Sequence, residues 1–93
     1  MEVKHEQLKL THRFYIEDNG VEIGEMTYAF VGDNIIDINS TFIDEDHRGK
    51  DLGLKLITAA VSFMRDNNIK AIPSCPYVEK VFNETPEYSD VKS

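Results

Sequence analysis

Residues 46–64 read DHRGKDLG followed by LKLITAAVSFM, and the change of pattern inside that stretch decides the fold. From Leu52 the apolar residues Leu52, Leu56, Ile57, Ala59, Ala60, Val61, Phe63 and Met64 recur with a helical period. The polar residues Asp51, Lys55, Thr58, Ser62 and Arg65 fall four, three, four and three apart. That spacing draws one solvent stripe along a helix whose remaining surface is buried. The asparagines at 67 and 68 end it, because Asn takes the left-handed conformation readily.

The loop before the helix carries Arg48, Gly49, Lys50 and Gly53. Free N–H groups at a helix start, helped by the helix dipole, bind anions, and glycines let the backbone approach closely. Arg48 and Lys50 would add charge-assisted bonds to an oxyanion. Asp51 opposes this reading: a carboxylate ~6 Å from a phosphate charge costs roughly 1–3 kcal/mol. Two readings stay open. Either Asp51 points outward, pairs with Lys55 one turn on, and only weakens an anion site. Or Asp51 itself satisfies the helix terminus, and the loop is a capped turn without a ligand.

Upstream the period is two. Leu8 to Ile16 is expected as a half-buried strand, with Leu8, Leu10, Phe14 and Ile16 on one face. Asn19-Gly20 marks a hairpin turn. A second strand puts Met26, Tyr28 and Phe30 opposite Glu25, Thr27 and Ala29; a third, Ile35 to Ile43, puts Ile36, Ile38, Ser40 and Phe42 on one side. Downstream of the helix, IKAIPSC (69–75) reads as a short buried strand, parallel to the third because a helix crosses between them. PYVEKVFNE (76–84) begins with a proline suited to a first helical turn and is expected as a short helix. The fold class is therefore α+β: a mixed, mainly antiparallel sheet with helices packed on it. Residues 1–93 make one domain, with 1–7 as a flexible lead-in and 85–93 as a C-terminal tail.

Composition narrows the function. Acidic residues outnumber basic ones 17 to 10, which disfavours long-range attraction to nucleic acid or an anionic membrane. No apolar run approaches the ~20 residues that span a bilayer. A lone cysteine, Cys75, forms no intrachain disulfide, and the N-terminus lacks the apolar core of a secretion signal, so a reducing cytoplasm is expected. His5, His12 and His47 have no metal-ligand spacing.

The strand, the loop DEDHRGKDLG and the helix LKLI together resemble the acyl-CoA-binding segment of the GNAT superfamily of N-acetyltransferases. The family pattern is Arg or Gln, two residues, Gly, one residue, Gly or Ala. Arg48 fills its first position and Gly53 its last, while Asp51 stands where the first glycine belongs. Small size, element order and SCPYVEKVF after the last strand are similar to the minimal, cysteine-bearing members. The resemblance implies a GNAT-like sheet, acetyl-CoA or coenzyme A as cofactor, and an amine as acceptor. Carried onto this chain, it implies cofactor contacts at Phe42, Ile43, Arg48, Gly49, Lys50, Leu52, Gly53 and Phe82. It makes Cys75 and Tyr77 the catalytic candidates, Cys75 as acetyl acceptor or at the leaving thiolate, Tyr77 as proton donor.

The residues allow plainer readings too. A lone cysteine is a small buried hydrophobe as often as a nucleophile, though its place at a helix start would lower its pKa. Tyr77 can be packing, Phe82 can be core, and His47 an exposed loop histidine. Two functions follow: an N-acetyltransferase acting on an unidentified amine, as a monomer or weak homodimer, or a non-catalytic acyl-CoA-binding or protein-interaction module.

Overall fold

A computed structural model describes residues 2–9 and 11–93. Five strands, β1 (Val3–Gln7), β2 (His12–Asp18), β3 (Val21–Gly32), β4 (Ile35–Ile43) and β5 (Lys70–Pro73), lie side by side in chain order. The first four form an antiparallel meander, and β5 runs parallel to β4. Helix α1 (Leu52–Asp66) supplies the crossover, and α2 (Pro76–Glu84) follows β5. Single 3-10 segments occupy Glu45–His47 and Pro86–Val91. Asn19 and Gly20 both take positive φ, as the Asn-Gly turn demands, and Asn68 does so just past α1.

The solvent stripe on α1 is as the period required: Asp51, Lys55, Thr58, Ser62 and Arg65 are exposed. Its opposite side buries Leu56, Ile57, Ala60, Val61 and Met64 against Phe14, Ile16, Met26, Tyr28, Ile36 and Ile38. Val78 and Phe82 of α2 join the same core. On the other face of the sheet Arg13 reaches Glu6, Glu22 and Glu25 and lies 4.1 Å from the Tyr15 ring centroid.

Both chain ends differ from expectation. The strand expected over Leu8–Ile16 begins at His12, because the Leu8 N–H donates to the Thr11 carbonyl at 2.8 Å and the chain reverses there. Leu8 is exposed, and Leu10 lies outside the described residues. Val3–Gln7, expected to be flexible, pairs with β2 as an edge strand. At the other end the residues expected as a tail pack onto the domain: Val91 is buried, Arg65 grips the Asp90 carboxylate, and Lys92 bridges to Ala71.

One irregularity in β4 positions the site. Tyr28 pairs with Ile38 and Thr27 with Ser40, so Asn39 is an extra residue, bulged out and bonded to Thr27 Oγ1 at 2.6 Å. The bulge reverses the alternation. Ile36 and Ile38 point into the core, and beyond the bulge it is Thr41 and Ile43 that face that side. Ser40 and Phe42, expected to share the face of Ile36 and Ile38, are exposed instead.

β1 is tied down by aromatic contact. His5 stacks on Phe14 at 4.0 Å between ring centroids, and its Nε2 is bonded to the Tyr28 hydroxyl at 2.6 Å. Burial, and secondarily the neighbouring His12, hold the His5 pKa below 6.5. A depressed histidine pKa means the unfolded chain binds more protons, so this contribution is complete above pH 6.5 and is lost as pH falls through the folded value. His5→Phe is therefore expected to flatten the acid side of the stability–pH curve. Denaturant melts of both proteins between about pH 5 and 8 check this, and parallel curves would refute it.

Candidate active site

β5 stops at Pro73 while β4 continues to Ile43. The last link between them is the Cys75 N–H donating to the Ile38 carbonyl at 2.9 Å. Beyond it the strands part, and a cleft of about 350 Å³ opens. Thr41 and Ile43 of β4 line one wall, with Leu52 and Gly53 of α1 and Tyr77 of α2 around them. The loop contributes His47, Arg48, Gly49 and Asp51.

The loop presents the start of α1 to this cleft. Gly49 has φ 86°, and Asp51, the N-cap residue, is left-handed at φ 57°, ψ 28°. No side chain caps the helix, so its first amides remain available as donors. Arg48 Nε donates to the Ile43 carbonyl at 3.4 Å, which holds its guanidinium at the cleft. His47 is pinned between carboxylates, with Nδ1 donating to Asp44 at 2.9 Å and Nε2 lying 3.7 Å from Asp18. Uncapped amides, a guanidinium and two glycines suit a phosphate; the Asp51 carboxylate opposes it. Asp51 does not pair with Lys55 as expected: among the described residues they form no ion pair, and Asp51, though exposed and also bordering the groove that holds Lys55, lines the cleft. The only link between the two is the Lys55 N–H donating to the Asp51 carbonyl at 3.1 Å.

Tyr77 crosses the cleft from α2 and rests on Gly53. A Cβ at Gly53 would stand 2.6 Å from the Tyr77 hydroxyl oxygen and 2.8 Å from its ring, so only glycine seats the phenol there. Burial first, then the charges of Asp51 and Cys75, push the Tyr77 pKa above 10, and the phenol keeps its proton at neutral pH. Cys75, at 6% exposure, is the N-cap residue of α2. Its Sγ donates to Thr41 Oγ1 at 3.4 Å. Burial pushes this thiol up, but the bond with Thr41 and the nearby amides of Val78, Tyr77 and Thr41 outweigh it, leaving the thiol below its ordinary range. The sulfur closes no capping hydrogen bond to α2, so those amides act through their partial charge.

The cleft thus brings together Ile43, Arg48, Gly49, Leu52, Gly53 and Tyr77 from the residues singled out in the sequence. Lys50 is exposed and outside the lining, and the Phe42 side chain lies on the open face of the sheet. Phe82 is buried and packs against Tyr88, so it walls the core and not the cleft. Thr41 was not legible as a site residue, since simple alternation sends it to the wrong face.

Residues 13–91 match the GCN5-related N-acetyl-transferase family. The chain belongs to that family. Its members use acetyl-CoA as acetyl donor. The zebrafish protein NATD1 is 30% identical over 87 residues, covering 92% of this chain and 77% of the relative. Human NATD1 is 28% identical over 85 residues, covering 90% and 74%. Among solved structures, a GCN5-like protein from Staphylococcus aureus superposes with a TM-score of 0.76 at 33% identity, over 97% of this chain and 87% of that one. An aminoglycoside N-acetyltransferase in complex with CoA shares the fold, with a TM-score of 0.58 at 16% identity over 84% and 68%. The backbone at Asp51 is left-handed, a conformation that glycine takes more readily than aspartate.

Proposed function

We propose that this protein transfers an acetyl group from acetyl-CoA to an amine, at the cleft between β4, α1 and α2. The observation that carries the reading is the uncapped start of α1, opening with Arg48 and Gly49 onto the gap where β4 and β5 part. Arg48 and the α1 amides hold a phosphate of the donor. The β4 edge at Thr41–Ile43, unpaired on the β5 side, offers backbone groups to the thioester arm. Acetyl-CoA supplies the activated acetyl group. Tyr77, protonated and on the cleft wall, donates to the departing sulfur, a general-acid role. The acceptor attacks as a free amine, and the acidic surface steers cationic acceptors such as polyamines or lysine side chains toward the protein. The lone cysteine suits a reducing cytoplasm, and a monomer or weak homodimer, without nucleic acid, is enough for this chemistry.

Titration calorimetry of acetyl-CoA, with a thermal shift and an amine panel, tests the reading. Ligand at a hundredfold over Kd stabilises by ~2.7 kcal/mol. No binding at millimolar acetyl-CoA, in this protein and in Asp51→Gly, would overturn the reading and leave an interaction module.

A further inference from the structure

Cys75 does not reach the cleft lining, whereas Thr41 does, and Thr41 Oγ1 is the acceptor of the Cys75 Sγ–H bond at 3.4 Å. The bulge at Asn39 is what turns Thr41 to this side. On the other side of the sulfur lies the start of α2, whose amides and dipole favour a negative charge.

We propose that Thr41 is a positioning residue whose hydroxyl governs the Cys75 thiol and links that buried sulfur to the cleft. In the resting state Sγ–H donates to Oγ1, and the Thr41 proton is free to point into the cleft. When a basic atom in the cleft takes that proton, the Sγ proton passes to Oγ1, the S–H bond breaks and a thiolate remains at the α2 terminus. Thr41 ends as it began, a hydroxyl, now donating to the sulfur. One proton has moved from Cys75 to the cleft, and no electrons are exchanged. The thiolate regains a proton from the amine, which sheds one on acetylation. The role in turnover rests on the acetyl-transfer reading, in which the basic atom is the Tyr77 phenolate left when that residue protonates the departing coenzyme A sulfur; the thiol chemistry stands apart from it. The titratable groups that face Cys75 are few: Tyr77 on α2 senses its charge, and Asp51 stands beside the same phenol.

Because Cys75 is the only cysteine, carbon-13 labelling of cysteine gives one resonance to follow against pH in the full chain. Thr41→Val is expected to raise its titration midpoint by about one unit, roughly a tenfold loss of thiolate near neutral pH. Thr41→Ser restores the midpoint, which a purely structural role for the threonine methyl would not do. A midpoint unmoved in Thr41→Val, or unrestored in a folded Thr41→Ser, overturns the proposal. Should the parent protein acetylate no amine, the acetyl-transfer reading fails by itself, and the titration still decides the role of Thr41.

Discussion

Gly53→Ala lowers acetyl transfer about 100-fold and leaves the melting temperature within about 5 °C of the parent. The rate falls because the new Cβ would lie 2.6 Å from the Tyr77 hydroxyl oxygen, so the phenol must leave its seat. The atoms in the way belong to the far end of a side chain that is 39% exposed, and the ring can swing outward without moving the backbone. Stability then has two opposing contributions of similar size. Alanine in a helix is favoured over glycine by up to ~1 kcal/mol. The lost contact of a half-exposed ring costs about 1 kcal/mol. Tyr77→Phe separates the proton from the ring: it keeps the packing and is expected to lose kcat by a similar factor, with KM little changed. Steady-state kinetics of both variants check this. Full activity in Gly53→Ala would remove Tyr77 from the mechanism.

Asp51→Gly binds acetyl-CoA about tenfold more tightly, or better. Asp51 lines the cleft without the Lys55 partner that would have drawn its charge outward. Removing a carboxylate ~6 Å from a phosphate relieves roughly 1–3 kcal/mol. The backbone adds little to the balance. Aspartate at φ 57° is strained by about 1 kcal/mol, and glycine there gives back a similar amount as extra entropy of the unfolded chain. Asp51→Asn isolates the charge, because asparagine tolerates the left-handed conformation equally well. Removing Asp51 also takes away one of the influences that raise the Tyr77 pKa. Calorimetry of the three proteins decides: equal affinities across all of them would mean the carboxylate does not face the bound anion.

Local signals determined most of the scaffold. The four–three spacing from Asp51 to Arg65 specifies a helix with one wet stripe, and Asn-Gly and Pro76 specify a turn and a helix start; none of these depends on what the chain later packs against. The anion-suited loop was legible for the same reason, since Arg48, the glycines and the helix terminus are neighbours in sequence. Tertiary structure decided which side chains meet. The Asn39 bulge exists only in the pairing of β4 with β3, and one extra residue exchanged Ser40 and Phe42 for Thr41 and Ile43 at the cleft. Val3–Gln7 became a strand because β2 had an edge to fill and His5 an aromatic ring to lie on. Tyr77 reached Gly53, and Cys75 reached Thr41, across gaps of 24 and 34 residues in the chain. Side-chain parity and contact at that separation follow from register and packing, which no local pattern encodes.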